Sequence, residues 1–213
     1  MKSNNLNNLI NSLSEEAKFE VKYNASKSAS IWLVFSVFYI IFISYIFGVR
    51  EDINLIIKNP LYIIELVMLF LALILSSFSA SFLASPDSKQ KKYFLYSPFL
   101  AFLGVLISGI LSQFFDGNYI ANNAHNGIYC FSCVVILSLI PSTFLFLQIK
   151  KYAPTKLKFL GVLILLFSTA IGCLILRLTE PVDTLFHIII WHYTPVFMLA
   201  LIGIYLGKKF LSW

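Results

Sequence analysis

Long apolar blocks separated by short polar stretches make up the chain after residue 30. A bilayer core about 30 Å thick requires roughly twenty apolar residues in a helix. Six blocks meet this requirement and predict an all-α, polytopic membrane protein with a six-transmembrane-helix bundle. The predicted spans are Ile31–Val49, Leu61–Leu83, Phe94–Phe115, Ile128–Ile149, Phe159–Leu176 and Leu185–Leu206. Because the connections between them are short, residues 31–213 are expected to form one transmembrane domain.

The N-terminal segment, residues 1–30, is polar except for one apolar stripe. The stripe follows the i, i+3, i+4, i+7 spacing of a single helix face, and its members are Leu6, Leu9, Ile10 and Leu13. A segment this short cannot build a core, so the stripe needs the membrane surface or a groove on another protein. Lysines are scarce before residue 18, which favours a protein partner over anionic lipid.

Lysine and arginine lie mostly on one side of the predicted spans, in alternate loops, and this asymmetry predicts the orientation. The chain has 16 of these residues. Only three, Arg50, Lys58 and Arg177, lie on the side of the first, third and fifth loops. The others lie in the N-terminal segment, the second and fourth loops and the C-terminal tail. Both termini are therefore predicted to be cytoplasmic.

Composition supports a membrane protein and excludes several other classes. Hydrophobic residues make up 59% of the chain and charged residues 12%, against about a quarter charged in soluble domains. The net charge of +6 is too diffuse for direct nucleic-acid binding. No nucleophile elbow, P-loop, zinc-protease or dinucleotide-binding motif is found, so the chain is not expected to be an enzyme.

Thiols and imidazoles gather on the predicted outer side, where ionisable groups are functional candidates. The stress-sensing candidates are Cys130, Cys133, Cys173, Glu180, Asp183, His187, Trp191 and His192. In regular helices Cys130 and Cys133 share a face, and so do His187 and Trp191, whereas His192 is expected to point elsewhere. Sulfur and imidazole ligands suit soft and borderline metals. Metal binding by Cys130, Cys133, His187 and His192 is therefore one interpretation.

Other interpretations of this group stay open. The thiols can be oxidised, since a disulfide is feasible on an oxidising side of a membrane, or inert, because buried cysteine behaves as a small hydrophobe. The histidines can serve only in hydrogen bonds between helices. No resident cofactor is predicted beyond transient metal binding. Glu65 is the one acidic residue within a span, so a small transporter for a metal or solute is the second hypothesis.

Several sequence elements, in this order, resemble the NrsF family of membrane-bound anti-sigma factors. Near the N-terminus is Leu9-Ile10 followed by Leu13, and Cys130 is followed eleven residues later by Pro141. The most specific elements close the chain: Glu180-Pro181-Val182-Asp183, His187, Trp191-His192 and a terminal Gly-Lys-Lys-Phe-Leu-Ser-Trp. The resemblance covers essentially the whole chain.

The resemblance implies a regulator in the bacterial inner membrane. Such proteins hold an extracytoplasmic-function (ECF) sigma factor through the N-terminal segment and release it under stress, with cysteines implicated in the response. Cys130 corresponds to the first family cysteine, with Cys133 as a nearby substitute. The position of the second is occupied by Glu180, so either Cys173 takes that role or the stimulus is read differently. Metal or oxidative stress is the expected stimulus.

Overall fold

The computed structural model describes residues 23–84, 92–115, 127–152, 154–182 and 184–212. This part of the chain is helical with short loops and contains no strand, which confirms the all-α prediction for it. The apolar stripe Leu6, Leu9, Ile10 and Leu13 lies outside the described residues, and so does Asp183. The helices are α1 (Ala25–Phe47), α2 (Ile53–Ile56), α3 (Pro60–Ala84), α4 (Lys92–Phe115), α5 (Gly127–Lys150), α6 (Leu157–Thr179), α7 (Leu185–His187), a π-helix (Ile188–Tyr193) and α8 (Thr194–Leu211).

Five described helical stretches are long and apolar enough to cross a membrane. They are Ala25–Phe47, Pro60–Ala84, Gly127–Lys150, Leu157–Thr179 and Ile188–Leu211. The third predicted span coincides with α4, of which Leu95–Leu111 forms a shorter apolar helix among the residues searched. A multi-pass membrane protein follows from these helices, whereas the count of six spans and the cytoplasmic termini remain predictions.

The surface around the bundle, formed by the exposed faces of the helices, is apolar. Phe38 is 69% exposed, Leu100 67%, Ile136 61% and Leu201 68%, and each lies on a different helix. Soluble monomers rarely expose apolar patches larger than a few hundred Å². A surface of this kind suits contact with lipid chains, which explains why the helices carry no amphipathic polar face.

Helix α6 occupies the centre of the bundle. It packs against α1, α3, α5 and α8, and nearly every residue from Leu160 to Arg177 is buried. Since protein surrounds it on all sides, α6 needs no polar face and reads as a continuous apolar run. Its two ends therefore mark the two ends of the bundle.

The contact between α6 and α8 depends on three glycines. A Cβ atom on Gly161 would lie 2.1 Å from the carbonyl oxygen of Gly203, and one on Gly207 would lie 2.2 Å from that of Leu157. Small residues allow such close backbone approach where no hydrophobic effect drives helices together. These glycines therefore fix how closely the last helix sits on the central one.

One end of the bundle, called here the Ser81 end, contains the beginning of α1. The Tyr23 hydroxyl lies within 3.0 Å of both the carbonyl and hydroxyl oxygens of Ser81, near the end of α3. The Tyr23 ring packs on Tyr152, just after α5, with 4.2 Å between ring centroids. Asn24 caps α1 by accepting a hydrogen bond from the Lys27 backbone N–H. The described part of the chain therefore begins at this end of the bundle.

The opposite end, called here the Glu180 end, joins α1, α3 and α6. The backbone N–H of Arg50, after α1, donates to the carbonyl of Leu178. Near the start of α3, the Tyr62 hydroxyl donates to the carbonyl of Arg177 over 2.7 Å. These bonds satisfy carbonyls in the last turn of α6, which have no partner within the helix.

The last helical region changes its hydrogen-bond pattern just before Pro195. Proline has no N–H to donate to the carbonyl four residues earlier. The N–H of Thr194 instead bonds to the carbonyl of Ile189, five residues earlier, and the Thr194 hydroxyl donates to the same oxygen. The segment Ile188–Tyr193 is a π-helix within the last predicted span.

Candidate functional site

Four buried side chains meet at the Glu180 end, with the Glu180 carboxylate between the other three. The Cys130 thiol donates to Oε1 of Glu180 over 2.9 Å. His187 Nε2 lies 3.1 Å from Oε1, and His192 Nε2 lies 3.0 Å from Oε2. The group Cys130, Glu180, His187 and His192 is called the Glu180 cluster below.

Three separate parts of the fold supply the Glu180 cluster. Cys130 lies in the first turn of α5, Glu180 directly follows the last turn of α6, and the histidines lie on α7 and the π-helix. Each of the four residues has an exposed fraction of 7% or less. The cluster therefore forms only when three helical regions pack together.

The prediction that His192 points away from His187 is wrong. In an α-helix, residues five apart differ by about 140° around the axis. The π-helix is wider and bonds residue i to residue i+5, so both imidazoles face Glu180 with their ring centroids 5.3 Å apart. The sequence assumption of a regular α-helix caused the error.

The Glu180 cluster has the donor atoms of a metal site. One sulfur, one carboxylate oxygen and two imidazole nitrogens lie within 4.8 Å of one another. Burial raises the pKa of Glu180, but hydrogen bonds from His192 and Cys130 and the nearby histidines outweigh it and hold this pKa at about 2. Glu180 is therefore an ionised acceptor or ligand near neutral pH.

The remaining predicted residues lie around the cluster. Cys133 and Cys130 both line a cleft of about 220 Å³ that also reaches Glu180 and Pro181. The Cys173 thiol is fully buried and donates to the backbone carbonyl of His192 over 3.4 Å. No disulfide joins the three cysteines, all of which the structure describes.

Trp191 packs across α5 and does not join the cluster. A Cβ atom on Gly127 would lie 2.1 Å from the Trp191 ring, so the indole covers the first residue of α5. Because Gly127 is only three residues before Cys130, Trp191 helps position the helix start that carries the thiol.

A second buried group, which the sequence did not reveal, supports this end of the bundle. Arg177 Nη2 donates to Glu65 Oε2 over 2.9 Å, and the Tyr193 hydroxyl donates to the other oxygen of Glu65. The guanidinium of Arg177 also lies 5.0 Å from the centre of the Tyr62 ring. Tyr193 directly follows His192, so this group and the Glu180 cluster share the π-helix.

A comparison with known protein families identifies the family of the chain. The sequence model of the family described as "NrsF: Negative regulator of sigma F" matches residues 14–213, nearly the whole chain. The chain belongs to the NrsF family. Its role is therefore that of a negative regulator of a sigma factor, with a sigma factor as its partner. The chain matches no curated protein and no solved structure.

The resemblance described above implies a second family cysteine at the position where this chain has Glu180. The structure brings that position into direct contact with Cys130, over 2.9 Å. A carboxylate cannot form a disulfide, so in this NrsF member the contact between the two positions is a hydrogen bond.

Proposed function

We propose that this protein is a membrane-bound anti-sigma factor of the bacterial inner membrane. Residues 1–30 hold an ECF sigma factor on the cytoplasmic side, and residues 31–213 form six spans with both termini cytoplasmic. Metal or oxidative stress, sensed at the Glu180 cluster in the outer half of the membrane, releases the sigma factor. The chain acts as a regulator with no enzymatic step and no direct contact with nucleic acid.

The two-ended layout of the bundle is the observation that carries this proposal. The Glu180 cluster lies at one end, and Tyr23, from which residues 1–22 continue, is anchored at the other. Helix α6 has 23 residues, so at 1.5 Å per residue the two ends are about 34 Å apart. A stimulus on one side of a membrane and a capture segment on the other require this separation.

The distribution of basic residues supports the proposed orientation. Helix α5 ends at Lys150, α6 begins between Lys156 and Lys158, and α8 ends with Lys208 and Lys209 in its last turn. All of these helix ends lie toward the Ser81 end. Since lysine and arginine favour the cytoplasmic side, this end and residues 1–22 are assigned to the cytoplasm.

The test of capture is co-purification of the full-length protein from native membranes in detergent. We expect a sigma factor to be retained by the wild type and lost from Leu9→Asp and Leu13→Asp. Ser12→Asp is the matched control, because it adds the same charge beside the apolar stripe and should retain the partner. Equal retention by all four proteins, or no sigma factor with the wild type, contradicts the proposal.

The test of sensing is sigma-dependent transcription from a reporter after exposure to metal salts or oxidants. Cys130→Ser is expected to reduce induction strongly, because Cys130 is the thiol in contact with Glu180. Cys133→Ser keeps a thiol in the cluster and should reduce induction less. Full induction in the Cys130→Ser strain would show that the stimulus is read elsewhere.

A further inference from the structure

We propose that the Glu180 cluster is a four-ligand site for a borderline divalent metal ion, with Zn²⁺ as the best match. The ligands are Cys130 Sγ, one Glu180 oxygen, His187 Nε2 and His192 Nε2. This inference deepens the proposed function, on which its regulatory meaning rests. The coordination itself depends only on the cluster.

The mixture of donors determines the class of metal. Zinc is bound in proteins by cysteine sulfur, histidine nitrogen and carboxylate oxygen, usually by four ligands in a tetrahedron. Soft ions such as Cu⁺ prefer several sulfur ligands, and hard ions such as Mg²⁺ prefer oxygen alone. The cluster offers one thiolate, two imidazoles and one carboxylate, which matches neither the sulfur-rich sites of soft ions nor the all-oxygen sites of hard ions. A cluster with one sulfur and one carboxylate donor therefore favours borderline ions over soft ones.

The spacing of the donors fits a four-coordinate ion after small side-chain rotations. Metal–ligand distances of about 2.0–2.3 Å place tetrahedral ligands about 3.3–3.8 Å apart. The contacts that Glu180 makes with the other three span 2.9–3.1 Å. The largest separation within the group is no more than 4.8 Å. Bringing the most distant donors from 4.8 Å into the range of tetrahedral ligands takes a movement of about 1 Å.

Binding releases one net proton from the site, that of the Cys130 thiol, and each neutral imidazole that ligates through Nε2 carries its own proton on Nδ1 instead. The Cys130 S–H bond breaks, the sulfur–metal bond forms, and the proton passes to solvent, since thiolates and not thiols ligate metals. The cleft of about 220 Å³ that reaches Cys130 and Glu180 provides a path for both the ion and the proton. Glu180 then exchanges the hydrogen bond from the thiol for a bond to the metal.

The ion would connect α5, the end of α6 and the π-helix. A ligand shifts a conformational equilibrium only when it binds the two states with different affinity. Because the four donors belong to three helical regions, the ion binds the packing in which these regions are close. Metal occupancy thus stabilises one arrangement of the bundle, which is the property that a sensor of the proposed function needs.

The test uses full-length protein purified in detergent and titrated with Co²⁺ alone. We expect one Co²⁺ per chain, with a thiolate-to-cobalt charge-transfer band and the intense visible bands of a four-coordinate ion. Zn²⁺ should displace Co²⁺ and remove both signals, because nitrogen and sulfur sites generally bind Zn²⁺ more tightly. Absence of these bands in the wild type would overturn the proposal.

Variants identify the ligands. Cys130→Ser should remove the charge-transfer band, and His192→Gln and His187→Gln should each weaken Co²⁺ binding at least about tenfold, the loss typical of disturbed metal sites. Cys133→Ser is the matched control, since its thiol lines the same cleft outside the cluster, and its spectrum should equal that of the wild type. A band that follows Cys133 instead of Cys130 would contradict the assignment.

Measuring sigma-factor capture on the same preparations separates this inference from the proposed function. A protein that retains the sigma factor but binds no Co²⁺ disproves the metal site and leaves the anti-sigma role intact. A protein that binds Co²⁺ through Cys130 but captures no sigma factor supports the metal site and disproves only the proposed function.

Discussion

Arg177 and Glu65 form an ion pair buried between α6 and α3, with 2.9 Å between Nη2 and Oε2. Both side chains are almost fully buried, with exposed fractions of 3% and 6%. Charges inside a membrane domain are costly unless they are paired. The pair therefore places one charge of each sign at the same depth, beside the π-helix that carries His192 of the Glu180 cluster.

We expect the removal of either partner alone to destabilise the protein strongly. Breaking a buried ion pair typically costs about 3–5 kcal/mol, because an uncompensated charge remains buried. Glu65→Leu and Arg177→Leu should each lower the thermal midpoint in detergent, and the two substitutions combined should recover much of the loss. A double variant that loses the sum of the two single effects would show that the residues do not act as a pair.

Adding a methyl group at the contact between α6 and α8 should destabilise the protein. In Gly161→Ala the new Cβ meets the backbone oxygen of Gly203 at 2.1 Å, and backbone cannot rotate away as a side chain can. We expect a loss of about 1–3 kcal/mol, as for overpacked cores, seen as a lower thermal midpoint. Gly109→Ala is the control, because its Cβ would have no atom within 4 Å. Equal effects in the two variants would contradict this account.

The helices are well predicted by the sequence because each one depends on local composition. The predicted span Leu61–Leu83 lies within the observed α3, Pro60–Ala84, and Ile128–Ile149 lies within α5, Gly127–Lys150. A run of about twenty apolar residues is a strong signal on its own. Its exact ends are set by flanking polar residues such as Lys150, which are visible in the sequence.

The site was only partly predictable, since its geometry depends on contacts between distant residues. Candidate residues predicted from the sequence include Cys130, Glu180, His187 and His192. The spacing of a regular α-helix, however, puts His192 on the wrong face. Pro195 signals a disturbed helix, but proline alone does not specify that the disturbance is a π-helix. The pairing of Arg177 with Glu65 joins residues 112 apart, and no local pattern reveals such a contact.

Asp52 is expected to make stability depend on pH at the Glu180 end. Its hydrogen bond with the buried Arg50, 2.6 Å from Nε to Oδ1, is the main cause that holds the pKa of Asp52 below its usual value. Because the folded-state pKa is lowered, the ionised carboxylate stabilises the folded protein at pH values above the unfolded pKa of about 4. This contribution is lost as the pH falls through the folded-state pKa. Because Asp52 is partly exposed, we expect at most about 1 kcal/mol.

The measurement is the difference in thermal midpoint between the wild type and Asp52→Asn in detergent. This difference should be present at about pH 6, begin to shrink below the unfolded pKa of about 4, and vanish once the pH has fallen through the lowered folded-state pKa. Glu51→Gln is the control, since it removes the same charge from an exposed neighbouring position. A difference that stays constant with pH would show that Asp52 acts through something other than its charge.

The π-helix should allow two positions five residues apart to reach Cys130. We expect His187→Cys and His192→Cys, each in a chain with Cys133→Ser and Cys173→Ser, to be linked to Cys130 by a short bifunctional thiol reagent. In a regular α-helix these positions would diverge by about 140° and only one could be linked. Phe186→Cys is the control, because Phe186 is 73% exposed and lies outside the cluster, so it should remain unlinked.

Adding Pro195→Ala restores an N–H that can bond four residues back, and it should reduce linkage at position 192 more than at 187. Linkage is identified by mass spectrometry of the joined peptides. If only one of the two positions is linked to Cys130 in chains that keep Pro195, the π-helical arrangement of the site is contradicted.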